Sequence, residues 1–315
     1  MTEQTRYKQQ RYLLMTLDPI HPGAGGYRLG RVDNSIVREP GTRLPKIPGS
    51  SLHGAIRQYA AMQAEKPQCA GQNACGQSDC PICYTFGYVK GKDQQAHAGV
   101  VSIYDARILL FPVHTLNGPY WVTTLNLLKD AGFTNLPPEP EDGQVILPHN
   151  AKGLKRLNLG WLLLDVRPSS GGEQTGGEGL QPPAEWAKDD AWEHVAKRLA
   201  IVSEALFPTI VNSNLEVRTS VAINPETGAA EDGALFTYEA IPRATFLTCE
   251  VVLDDYRGKF TETQRPDGWE SPLDAVKAGL NLMQHLGVGG MGTRGFGRLK
   301  PVGEPVETSF PEGQS

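Results

Sequence analysis

Apolar and polar positions along the chain alternate between two periods. Arg11–Leu17 runs apolar into an Asp18-Pro19 turn and predicts a first strand. Gly99–Val113, rich in Val, Ile, Leu and Phe and ending at Pro112, predicts a second, and Thr245–Leu253 another. Helical spacing appears in Leu52, Ile56 and Tyr59, behind Ser50 or Ser51 as N-cap. Trp192, Val195, Leu199, Val202 and Leu206 predict a helix over Asp190–Leu206. Ser271-Pro-Leu-Asp274 predicts a capped helix start, with Leu273, Val276, Leu280 and Met283 buried and Gly287 as its stop.

Three segments break this pattern. Pro168–Pro183 is nearly free of apolar residues and reads as a mobile insertion. Val217–Ile241 reads as a long hairpin turning at Asn224-Pro-Glu-Thr-Gly228, with Leu235, Phe236 and Tyr238 on its far arm. The third break is the glycine-rich tract Gly287–Lys300. Interspersed strands and helices without regular βαβ alternation predict an α+β fold, and no repeat period points to a solenoid.

Composition narrows the class. The 315 residues carry a net charge of −5, with 39% hydrophobic and 21% charged residues, as in an ordinary globular protein. No apolar run approaches about 18 residues and the N-terminus is polar, which predicts a cytoplasmic chain without a membrane span. The net charge argues against a free-standing nucleic-acid binder, but six cations face two acids between Arg28 and Arg57. A basic groove on an acidic body fits both facts.

Four groups of residues carry candidate chemistry. Gly289, Gly290 and Gly292, followed by Arg294 and Arg298, suit backbone and guanidinium contact with a polyanion. The match to a dinucleotide fingerprint is formal only, because this tract closes a helix rather than opening one. Lys46, Ser50, Ser51, His53 and Arg57 surround a helix start whose free N–H groups favour phosphate. Cys69, Cys75, Cys80 and Cys83 fall within fifteen residues and suit structural zinc, with His53 or His97 as a replacement ligand. An iron–sulfur cluster and a redox pair are the rivals, and the lone Cys249 reads as core. Last, His21 and Asp33 share a loop whose other charges are positive, where Asp33 offers a carboxylate to a divalent ion.

The order of these pieces resembles the RAMP superfamily of CRISPR proteins, in the branch that forms the backbone (fourth) subunit of type III-B effectors. The resemblance rests on His21-Pro-Gly-Ala-Gly with Leu29-Gly-Arg-Val-Asp33, on Pro45–Arg57, on Phe86-Gly87, and on Tyr104–Arg107 with Phe111-Pro-Val113. Gly233–Phe236 with Glu239 and the terminal glycine loop complete it. It implies an RRM-like (ferredoxin-like) palm with an antiparallel sheet, a cysteine-rich insertion over 66–98, a flexible insertion over 168–184 and a thumb hairpin over 215–242.

The resemblance further implies copies stacked with other Cmr subunits along a crRNA, and Mg- or Mn-dependent cleavage of complementary target RNA at regular intervals. Asp33 matches the catalytic aspartate and His21 the loop histidine, while Tyr238 and Glu239 align with assisting thumb residues. Lys46, Ser50, Ser51, His53, Arg57, Gly289, Gly290, Gly292, Arg294 and Arg298 would hold guide backbone. His53 stands where lysine is usual, and the four cysteines depart from the general pattern. The alternatives are a non-catalytic scaffold, a metal-independent precursor-RNA endonuclease with His21 as base, and a zinc-stapled interaction module without RNA.

Overall fold

The computed structural model describes residues 7–25, 32–71, 74–89, 96–148, 153–168 and 179–309. The strands up to the first large insertion are β1 (Tyr7–Thr16), β2 (Lys46–Ile47), β3 (Gly87–Tyr88), β4 (His97–Ala98), β5 (Val101–Ile103), β6 (Ala106–Thr115) and β7 (Gly118–Thr123). There follow β8 (Gln144–Leu147), β9 (Arg156–Leu159), β10 (Leu162–Pro168), β11 (Leu199–Ile201), β12 (Glu216–Ile223) and β13 (Ala230–Ala240). β14 (Phe246–Asp254), β15 (Leu299–Pro301) and β16 (Val306–Ser309) close the chain. The helices are α1 (Gly49–Gln63), α2 (Pro81–Phe86), α3 (Leu125–Asp130), α4 (Ala184–Ala187), α5 (Asp190–Ala196), α6 (Phe207–Ser213) and α7 (Pro272–Leu286).

Within the large sheet, β15, β1, β14 and β6 lie side by side in that order, each antiparallel to its neighbour. Read along the chain as β1–α1–β6–β14–α7–β15, this is the ferredoxin-like βαββαβ arrangement. The two faces of the sheet bury different partners. Tyr12, Leu14 and Leu247 join the core under α1 and α7, which also holds Leu52, Ile56, Leu273, Val276, Leu280 and Met283. Leu13, Leu110 and Phe246 point the other way and pack with Phe133, Trp186 and Trp192 from the segment inserted between β6 and β14. The period-2 alternation of β1 is thus used on both sides.

The α7 start forms as its residues predict. Ser271 Oγ accepts from Leu273 N, Asp274 accepts from Ser271 N at 2.7 Å, and Gly287 ends the helix at φ 75°. The α1 start differs from the serine cap expected. The helix begins at Gly49, Ser50 and Ser51 lie inside its first turn, and the cap is Asp105 Oδ1, which accepts from Gly49 N at 2.7 Å. A Cβ on Gly49 would stand 2.4 Å from the Ile103 carbonyl oxygen, so only glycine lets the 103–105 loop reach the helix end.

Two element boundaries also differ. The single strand expected over Gly99–Val113 is split at Tyr104-Asp105, and Pro112 lies inside β6, paired with Trp121. The β14 ladder reaches only Leu110, so Pro112 has a neighbouring strand on one side, where a missing N–H is tolerated. The helix expected over Asp190–Leu206 stops at Ala196, and Leu199–Ile201 instead joins the sheet beside β7. Leu-Ala-Ile is buried all round, a run whose periodicity fits helix and central strand equally. Of the insertion expected over 168–184, residues 169–178 lie outside the described residues, as do Arg28, Leu29 and Arg31. Among the described residues no helix is long and apolar enough to cross a membrane.

Candidate functional site

β12 and β13 form a two-stranded hairpin of their own, closed by Asn224. The Asn224 side-chain oxygen accepts from Glu226 N at 2.8 Å and Thr227 N at 3.2 Å, and Gly228 takes φ 67°. Strand alternation then gives the hairpin two faces. One carries Val217, Val221, Leu235 and Thr237, with Leu235 65% exposed. The other turns Phe236 and Tyr238 toward the terminal glycine loop, where Tyr238 packs edge-on to Phe296 with ring centres 5.5 Å apart. Arg218 lies over Phe296 and Arg294 over Phe236, each guanidinium held on a ring face.

The segment Asp33–Arg38 runs along the outer edge of β13. Asn34 N donates to Thr237 O, and Glu239 N donates to Asn34 O. At the exposed end of this edge, Asp33 Oδ2 accepts from Thr237 N at 2.7 Å and from Thr237 Oγ1 at 2.9 Å. Those two bonds hold the carboxyl below the usual carboxylate range, the backbone bond first. Asp33 is therefore solvent-facing, ionised and fixed in direction, with Oδ1 left over for a ligand.

Behind Asp33 the groups are buried and committed. Glu239 accepts from Arg38 Nη1 and Nη2, both at 2.7 Å, and from Ile36 N at 3.0 Å. His21 is 6% exposed, and its Nδ1 lies 2.7 Å from the Glu239 carbonyl oxygen. Its own carbonyl accepts from Gly290 N at 3.0 Å. Gly289 stands at φ 88°, where a Cβ would be 2.9 Å from that same carbonyl, so the glycines let the terminal loop lie directly on the His21 loop. His21, Asp33, Tyr238, Glu239, Gly289 and Gly290 thus meet at the hairpin root, although up to about 270 positions separate them in sequence.

The glycine loop is less bare than its composition suggests. The amides of Val288, Gly290 and Gly297 donate to Gly297 O, His21 O and Pro19 O. Gly289, Gly290, Gly292 and Arg294 remain exposed, whereas Arg298 pairs with Asp18 through Nη2–Oδ1 at 3.1 Å. Among the described cations of the basic stretch, two are ion-paired. Lys46 binds Asp105 at 2.6 Å and Glu39 at 3.2 Å, and Arg38 is held by Glu239. Ser50 is exposed in the first turn of α1, and Ser51 half-buried. Burial, with the Arg57 charge behind it, pushes the His53 pKa down, and the ring packs edge-on against Phe86. A neutral imidazole there is no substitute for a lysine charge.

The cysteine-rich segment folds against α1 and α7. Cys69 lies in a 3₁₀ turn, Cys80 caps α2 and Cys83 sits within it. All four Sγ atoms of Cys69, Cys75, Cys80 and Cys83 lie within 4.8 Å of one another, with 3.7 Å between Cys75 and Cys83 and between Cys69 and Cys80. Tetrahedral metal–sulfur bonds of about 2.3 Å place sulfurs roughly 3.8 Å apart, so the donor set suits a zinc-sized ion. His53 and His97 stand outside this set. In the thiol state, burial pushes Cys69 up to about 11. The sequence pattern did not single out Thr237, and it marked Arg38 only as part of a basic stretch and Asp105 only as part of the Tyr104–Arg107 motif, because each acts through a partner more than 50 residues away.

Comparison with known proteins extends this picture. The chain is 30% identical over 311 residues to the CRISPR system Cmr endoribonuclease Cmr4 of Pyrococcus furiosus, covering 91% of this chain and 92% of that one. The crystal structure of oligomeric Cmr4 from the same organism superposes with a TM-score of 0.58 at 22% identity, over 95% of this chain and 98% of that one. A cryo-EM structure of type III-B Cmr-beta bound to cognate target RNA gives 0.60 at 16% identity, over 93% and 97%. The RAMP superfamily model matches residues 13–300. With nearly the whole chain matched and the ferredoxin-like core in place, this protein belongs to the RAMP superfamily.

Proposed function

We propose that this protein is a backbone subunit of a type III-B CRISPR effector, which lines up in copies along a crRNA and cleaves complementary target RNA as an endoribonuclease. The observation that carries the reading is Asp33. It is an exposed carboxylate, held ionised by Thr237 at the root of a protruding hairpin, in a chain 30% identical to a Cmr endoribonuclease. The exposed Val221 and Leu235 give that hairpin an apolar wedge against stacked bases. Unstacking exposes a phosphodiester and lets its 2′-hydroxyl or a water line up with phosphorus.

Cleavage in this reading uses Mg or Mn. Asp33 Oδ1 is the protein oxygen that would hold the ion, and such ions are commonly bound by one or two carboxylates with substrate phosphate and water. When bound, it would neutralise charge on the reacting phosphate. His21 and Glu239 orient the site, since both are buried and bonded; that counts against His21 as the free base of a metal-independent processing enzyme. The exposed Gly289, Gly290, Gly292, Arg294 and Ser50, with the half-buried Ser51, would meet guide backbone. The four cysteines would hold structural zinc, which would tie the Cys69 and Cys75 turns to the buried α2.

The test is a reconstituted complex with a defined crRNA and its labelled complement, assayed with and without Mg²⁺. Cleavage at regular spacing that is lost on Asp33→Asn, with RNA binding retained, supports the reading. Equal cleavage by the variant overturns the assignment of Asp33, and no cleavage by the unmodified complex leaves a guide-binding scaffold.

A further inference from the structure

Arg57 lies on α1 in the stretch read as a phosphate-binding face, yet its side chain turns inward. Its Nε donates to the Cys69 carbonyl oxygen at 2.8 Å, and its Nη2 is buried without a hydrogen-bond partner. A buried guanidinium nitrogen with no acceptor is costly, and few native groups tolerate it without an ion or charge nearby.

The neighbouring group supplies the reason. Four thiolates around a divalent cation carry a net charge of −2, and Cys69, Cys80 and Cys83 are buried. Such a dianion needs a counter-charge in its surroundings. Two other described cations lie near this lobe, and neither reaches a ligand cysteine with its side chain. Lys66 Nζ reaches Gln264 at 3.4 Å, and Arg257, whose Nε is likewise buried without a partner, lies over the Tyr84 ring and donates through Nη2 to Tyr84 O and Ala98 O. Of these three described cations, Arg57 is the one whose side chain bonds to the backbone of a ligand residue.

We propose that Arg57 is the outer-shell counter-charge of the four-cysteine metal centre and fastens it to α1, rather than a ligand for RNA phosphate. The inference rests on the reading of the cysteines as a metal site. It explains why the side chain turns inward onto the Cys69 carbonyl. It also joins the metal to the RNA-facing end of the fold, because Ser50 and Ser51 begin the same helix two turns earlier.

The full chain is purified with Arg57→Gln and Arg57→Lys variants, loaded with Co²⁺, and followed by its sulfur-to-cobalt absorption. Transfer of metal to a competing chelator is then timed, with circular dichroism as a check on folding. Outer-shell partners commonly change metal affinity 10- to 100-fold. Arg57→Gln should lose metal at least about tenfold faster, and Arg57→Lys, which keeps the charge, should recover most of that loss. Retention by Arg57→Gln equal to the unmodified protein overturns the proposal. So does a lysine variant as leaky as the glutamine one, which would leave only a hydrogen-bonding role. An unmodified protein that takes up neither Zn²⁺ nor Co²⁺ with a tetrahedral spectrum refutes the metal site itself, and the proposal with it.

Discussion

Asp33 and Thr237 are locked in a two-point contact: one carboxylate oxygen receives both the amide and the hydroxyl of Thr237, at 2.7 and 2.9 Å. The threonine is 204 residues downstream, on the second strand of the hairpin. The candidate reactive carboxylate is therefore aimed by the hairpin itself, and any movement of the hairpin root moves it.

Asp33→Asn keeps the shape of the side chain and removes its charge. In a reconstituted complex it should abolish cleavage of a matched target while leaving RNA binding within about twofold, measured by filter retention beside the cleavage assay. Because the side chain is exposed, the urea midpoint should fall only slightly, through weaker bonds to Thr237.

Thr237→Val removes the hydroxyl bond and leaves the amide bond. The contact lowers the Asp33 pKa, so the ionised form persists below the usual carboxylate value of about 3.9. The variant should raise that pKa toward the ordinary value, and any activity needing the carboxylate should then fail at a higher pH. Carboxyl-detected NMR titration of Asp33 in both proteins would show the shift. An unchanged or lower value in the variant would contradict the assigned cause.

Arg38→Met leaves Glu239 buried without its bidentate partner. Both side chains are largely out of water, at 15% and 10% exposure. Removing one member of such a pair costs about 3–5 kcal/mol. The loss should appear in the urea midpoint. Cleavage should fall as well, since Glu239 also fixes Ile36 N, three residues from Asp33.

Two glycine-to-alanine changes should move stability in opposite directions. A Cβ on Gly279 of α7 would stand 2.3 Å from the Ile56 carbonyl oxygen, so Gly279→Ala must push α1 and α7 apart and should cost about 1–3 kcal/mol. Gly54 of α1 has nothing within 4 Å, so Gly54→Ala should stabilise by about 0.5–1 kcal/mol through helix propensity. Thermal unfolding of the two variants beside the unmodified chain measures both.

Local chemistry made much of this protein legible. The capping box at Ser271, the glycine stop at Gly287, the Asn224 turn and the buried stripe of α7 each depend on residues within one or two turns of each other. The cysteine cluster was legible for the same reason, since its four ligands fall within fifteen residues. The α+β class and the family resemblance followed from the order of such pieces. Only the tertiary structure decided which charges are free. Arg38, Lys46 and Arg57 read as a basic groove in the chain, but each is turned to Glu239, to Asp105 and Glu39, or to the Cys69 carbonyl by contacts 7 to 201 residues away. The strand identity of Leu199–Ile201 likewise depended on β7, because a short run buried on all sides carries no period of its own. Asp33 is the clearest case: its sequence neighbours make it an ordinary loop acid, and a partner 204 residues away makes it a fixed, ionised one.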